Sequence, residues 1–232
     1  MNSKKTNQKN LTFSNKYLAF YNGIMLIGWS IIFGKGATYF LLGKSPFEIY
    51  KLVKMELFIF QTGAILEIIH SLPFISLVSS PLFSTFIQVF SRVFLIWGIL
   101  NVTEKPKNSP FFISLILAWS PSEIIRYSYY LIRALKKEIN IVTWLRYSLF
   151  IVLYPIGVVS EIMSIINSLP ETREKKIFQI KITESFNFEY SHLCIGIAVS
   201  YVMGFSKLYL YMLNQRRKHF KNEKQNQKQK QK

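Results

Sequence analysis

The chain has 232 residues, half of them hydrophobic, and a formal net charge of +17. That apolar content excludes an ordinary soluble domain, and the long hydrophobic runs that return along the chain predict an all-α, polytopic membrane bundle. The basic residues flank those runs, which favours the membrane surface over nucleic acid. The single cysteine, Cys194, excludes an intramolecular disulfide and a cysteine-based metal site.

In chain order, segment 1–17 opens on the polar MNSKKTNQKN, so no cleavable signal peptide is expected. About six transmembrane helices follow, near 18–34, 56–72, 80–100, 111–132, 143–168 and 190–212, which makes 18–212 one membrane domain. Between the second and third, SLPFISLVSSP is expected to dip into the interface, and a seven-span reading stays open. Segment 213–232 is basic and rich in Lys, Gln and Asn, with disorder expected from Lys218.

Six spans put both ends on one side. That side carries 17 Lys and Arg against Glu138 and Glu223; the other carries ten against seven glutamates. The excess predicts cytosolic termini. Lys228 and Lys230 stand fifth and third from the end, as in the dilysine pattern that returns proteins to the endoplasmic reticulum, and that pattern needs a cytosolic tail.

Ionisable and polar residues inside spans are costly and mark candidate sites. They are Glu67 and His70 in the second span and Gln88 and Arg92 in the third. The fourth holds Glu123, Arg126 and Tyr127, and the fifth Arg146, Tyr147, Tyr154 and Glu161. Glu67 with His70, Gln88 with Arg92, and Glu123 with Arg126 are three or four apart and share helix faces. Ion pairing between helices accounts for Glu123 with Arg126 and for Arg92 with a glutamate. Such pairs also hold a catalytic cavity in shape, so these residues are candidates for support or substrate binding. His70 lies near a span end, where a hydrogen bond is its expected role. No metal site is expected.

Tyr154 and Glu161 stand apart in LYPIGVVSE, residues 153–161. Seven residues is nearly two turns, so both face one way, ~10 Å apart along the axis. They are too distant to pair, and a substrate atom fits between them. Pro155 loosens the ladder at that point, and Gly157 admits a neighbouring helix or ligand. On residues alone two readings stand: a proton-transferring pair, or a kinked helix whose hydroxyl and carboxyl bond to neighbours.

LRYSLFIVLYPIGVVSE at 145–161 resembles the most distinctive block of the membrane 3-hydroxyacyl-CoA dehydratases, once labelled protein-tyrosine-phosphatase-like. AWSPSEIIRYSYY at 118–130, QTGAILEIIHSL at 61–72 and TFIQVFSRVFLIW at 85–97 are similar to further blocks. YLAFYN at 17–22 and YMLNQRRK at 211–218 look like the family's two ends. One departure is the stretch Leu72, Pro73, Phe74, where the family usually has a glycine; another is the strongly charged loop 169–190.

The resemblance implies a six-span enzyme of the endoplasmic reticulum. It would convert long and very-long-chain 3-hydroxyacyl-CoA to trans-2-enoyl-CoA, the third step of fatty acid elongation. Its catalytic pair would be Tyr154 and Glu161. No cofactor is implied beyond the CoA that the substrate carries. The partners implied are the lipid bilayer and other elongation-cycle enzymes. The CoA head would stay near Arg133, Lys136, Lys137 and Arg146, residues that topology alone also explains. The alternative is a catalytically silent scaffold for elongation or other membrane enzymes, which has no need of the pair. The phosphatase label fails on chemistry. A cysteine phosphatase needs an arginine six residues after its cysteine, and here Ser200 follows Cys194 at that spacing.

Overall fold

A computed structural model describes residues 11–73, 75, 77–78, 82–181 and 187–230. The start of segment 1–17, five of the eleven residues of SLPFISLVSSP and the final residues of the dilysine pattern lie outside the described residues. The described chain is all-α apart from one short hairpin.

Helix α1, Phe13–Leu41, begins where the Thr12 hydroxyl accepts the Asn15 N–H at 3.3 Å. It ends in a turn where Gly43 takes φ +69°, a conformation that favours glycine. Helix α2, Pro46–Gly63, starts at a capping box: Ser45 accepts from the Glu48 N–H, and Glu48 accepts from the Ser45 N–H at 3.0 Å. The second span was expected from residue 56. The cap starts the helix ten residues earlier, and Lys51 and Lys54 ride on it. Their ammonium groups lie over Phe47, Tyr50 and Phe58, while Lys35 at the end of α1 pairs with Glu56. The short helix α3, Ile65–His70, follows a break at Ala64.

Helix α4, Leu82–Phe94, runs into a widened i→i+5 stretch, Leu95–Leu100. Tyr190 donates to the Gly98 carbonyl within that stretch at 2.9 Å. Helix α5, Pro110–Ala134, is capped by Ser109, with proline at its first position. It turns through Lys136, in the left-handed region at φ 55°, into helix α6, Asn140–Ser148. Helix α7, Phe150–Glu174, starts after a break at Leu149, so the fifth expected span is two helices. Pro155 has no N–H for the Ile151 carbonyl; the Tyr209 hydroxyl donates to that oxygen instead, at 3.3 Å. Neighbouring helices often satisfy backbone groups that proline frees.

Strands β1, Gln179–Lys181, and β2, Asn187–Glu189, pair antiparallel ahead of helix α8, Tyr190–Lys230. Helix α8 continues past Lys218, from where disorder is expected, to Lys230. Lys, Gln and Glu are good helix formers, and no Gly or Pro interrupts them.

α1 packs most extensively on α5, and α5 on α7. Gly28 makes the α1–α2 approach possible, because a Cβ there would collide with the Phe60 ring. Trp29, Ile32, Leu57, Ile99, Phe112 and Leu115 form the core. Ile27, Phe83, Val159 and Met203 lie exposed, as lipid-facing side chains do. Among the described residues, three helical stretches are long and apolar enough to cross a membrane: Phe13–Leu41, Phe150–Glu174 and Tyr190–Lys221. A shorter apolar one is Thr85–Leu100. The chain is an all-α membrane protein.

Candidate active site

α7 carries Tyr154 and Glu161 two turns apart. The Tyr154 ring is half-buried and stacks on Phe205 and Tyr209 of α8, at centroid distances of 5.4 and 6.2 Å. Among the described residues its hydroxyl makes no hydrogen bond. Glu161 is 6% exposed, and its Oε1 accepts the Trp119 indole N–H at 2.8 Å. At Gly157, between the two, a Cβ would meet Trp119 and Ala118 only at ordinary contact distances, so the approach of α5 does not itself require glycine there. Ser160 and Ser114 share a 2.7 Å hydrogen bond that fixes the same helix pair.

Behind Trp119 lies an ion network across three helices. The Arg92 guanidinium covers the Trp119 ring at 5.2 Å and pairs with Glu123. Arg126 bonds Glu123 from Nε at 2.8 Å and reaches Glu67 on α3 with its other nitrogens. Tyr127 also donates to Glu67. Two cations and two anions balance in this cluster around the buried Glu123, and charge taken out of water needs that balance. The network thus sets Arg92, Arg92 backs Trp119, and Trp119 holds Glu161.

The sequence candidates divide. Glu67, Arg92, Glu123, Arg126 and Tyr127 come together in this cluster. His70 sits beside it, buried, bonded to the Tyr17 hydroxyl at 2.9 Å and packed edge-on to Tyr21. Gln88 lies exposed on α4, one turn from Arg92. Arg146 and Tyr147 belong to the far end of the bundle, against Tyr130 and His219. Sequence reasoning missed Trp119 and Tyr201. Trp119 stood four residues before Glu123, and that i,i+4 spacing was the available signal. Tyr201, on α8, is partly buried close to Glu161 and Ser91, with a buried hydroxyl that lacks a well-aligned partner among the described residues; no local signal marks it. Cys194 is fully buried, away from this cluster.

A family described as "Protein tyrosine phosphatase-like protein, PTPLA" matches residues 61–222. Very-long-chain (3R)-3-hydroxyacyl-CoA dehydratase hpo-8 of Caenorhabditis elegans is 42% identical over 87% of this chain and 93% of its own length. Very-long-chain (3R)-3-hydroxyacyl-CoA dehydratase 2 of Mus musculus is 38% identical over 87% of this chain and 80% of its own. Very-long-chain (3R)-3-hydroxyacyl-CoA dehydratase PASTICCINO 2 of Arabidopsis thaliana is 35% identical over 87% of this chain and 91% of its own length. No solved structure matches.

Proposed function

Because this chain belongs to the protein tyrosine phosphatase-like family that includes the very-long-chain (3R)-3-hydroxyacyl-CoA dehydratases, we propose that it is a hydro-lyase working through Tyr154 and Glu161. It removes water from long and very-long-chain 3-hydroxyacyl-CoA and gives trans-2-enoyl-CoA, the third step of the microsomal elongation cycle.

The reaction breaks the C2–H and C3–O bonds and forms the C2–C3 double bond; the thioester stays intact. One protein group takes the C2 proton and another protonates the departing 3-hydroxyl. The observation that carries the site is the pairing of a buried Glu161, oriented by Trp119, with Tyr154 two turns away on the same face of α7. Their ~10 Å axial separation leaves room for the C2–C3 unit. The α8 rings brace the Tyr154 side chain, so both groups are pre-positioned.

The chain works in the endoplasmic reticulum membrane with both termini in the cytosol. Six spans are supported by six helical units: α1, α2 with α3, α4 with its widened end, α5, α6 with α7, and α8. The acyl chain lies among these helices, and the other elongation enzymes act on the same membrane.

Purified protein given a 3-hydroxyacyl-CoA tests the assignment through the pH–rate profiles of Tyr154→Phe and Glu161→Gln. Each variant is expected to lose about 100-fold or more in rate and to erase one limb of the profile. Wild-type rates in both variants would remove the pair from the chemistry.

A further inference from the structure

α5 and α6 part where they join, and a cavity of about 380 Å³ opens between them and α8. Arg133, Lys137, Trp144 and His219 line it. Arg133 uses one guanidinium N–H on the Tyr129 hydroxyl at 2.9 Å. A guanidinium has five N–H donors, so others are left to face the opening. The His219 ring lies flat on Tyr147 at 4.3 Å, which fixes an aromatic wall. Glu138 is the carboxylate in the described lining.

A second, smaller cavity of about 40 Å³ lies on the same seam, lined by Ser122, Ile125, Arg146 and Phe150 among others. On α5, Ser122, Ile125, Tyr129 and Ile132 recur every three or four residues, so they form one stripe. Its lower end is one turn from Trp119, which holds Glu161. On the facing side the second cavity reaches Phe150, one turn from Tyr154. The two cavities therefore lie in line along one seam, and the lower one ends one turn short of Trp119 on α5 and of Tyr154 on α7. Arg133 and Trp119 are fourteen residues apart on α5, ~21 Å along the axis. That is of the order of an extended phosphopantetheine arm.

We infer that the α5–α6–α8 chamber holds the phosphorylated adenosine end of the substrate's CoA, and that the pantetheine arm runs down the α5–α6 seam to Tyr154 and Glu161. The inference rests on the dehydratase reading and adds the subsite to it. A guanidinium and an ammonium suit phosphate oxygens, and flat rings suit a purine face. Arg146, on the narrow part of the seam, lies along the arm and not at the phosphates. Glu138 opposes the anion and sets a sign that topology alone does not.

The test compares two thioesters of one 3-hydroxyacyl chain on the full-length protein, one carrying CoA and one carrying pantetheine without nucleotide. Arg133→Gln and Lys137→Gln are each expected to raise KM for the CoA thioester about tenfold, with kcat nearly unchanged. For the pantetheine thioester the same substitutions should shift KM less than about twofold, because no phosphate is present to lose. Glu138→Gln should lower KM for the CoA thioester. Lys176→Gln, which removes an exposed charge at the other end of the bundle, should move neither constant. Adenosine 3′,5′-bisphosphate should compete with the CoA thioester in wild type and more weakly in Arg133→Gln. Equal shifts on both thioesters, or none on the CoA thioester, overturn the subsite and leave the dehydratase reading standing. A wild type that turns over neither thioester removes that reading and the subsite with it.

Discussion

Trp119 and Glu161 are joined across the α5–α7 interface, the indole N–H donating to the carboxyl Oε1 at 2.8 Å. Both side chains are buried, so water cannot take the place of either partner. The bond fixes which oxygen of Glu161 is left for chemistry. Trp119→Phe keeps an aromatic ring and removes the donor. It is expected to lower kcat about 10- to 100-fold with little change in KM. Steady-state kinetics check this; an unchanged kcat would make the bond a packing detail.

The ion network behind that bond is a stability element. Glu123 answers both Arg92 and Arg126 at 2% side-chain exposure. Glu123→Gln leaves two half-buried cations short of one counter-charge, at a cost below the about 3–5 kcal/mol of a fully buried pair. Thermal unfolding in detergent should show a clearly lowered midpoint. A midpoint equal to wild type would mean that water already screens the cluster.

Cys194→Ala should leave dehydration essentially intact and cost about 1 kcal/mol of stability for the lost sulfur contacts. The thiol is fully buried and far in sequence from Tyr154 and Glu161. Kinetics with a thermal scan decide it. Abolished turnover in a folded variant would revive a role for the only thiol.

Both ends are expected in the cytosol, with the stretch between α7 and α8 across the membrane. A glycosylation acceptor placed after Lys176 should be modified in microsomes, and tags at either end should be open to protease outside sealed vesicles. A modified acceptor between α5 and α6 would invert the account.

Much of this was legible because local spacing carried it. Glu123 with Arg126 is an i,i+3 pair, and the structure makes that pair. Tyr154 and Glu161 share a helix face as their seven-residue spacing requires. The Pro155 disturbance was readable as well, but its remedy, the Tyr209 hydroxyl on the Ile151 carbonyl, was not. Groups that meet only through tertiary packing were silent: Glu67 on Arg126, Trp119 on Glu161, and Tyr201 beside Glu161. For Gln88 the i,i+4 spacing gives a face shared with Arg92 and does not say how exposed each residue on that face is. The start of α2 was hidden because Lys51 and Lys54 read as loop charges, whereas their ammonium groups lie over helix aromatics. In the tail, composition that permits disorder also permits helix.

The most direct test of the central claim follows one product. The protein is expressed in microsomes lacking endogenous dehydratase activity, supplied with a long-chain 3-hydroxyacyl-CoA, and trans-2-enoyl-CoA is measured beside an expression-matched Glu161→Gln. The account predicts product from wild type and almost none from the variant. Folded wild-type protein that yields no product at any chain length, or a variant as active as wild type, would contradict it.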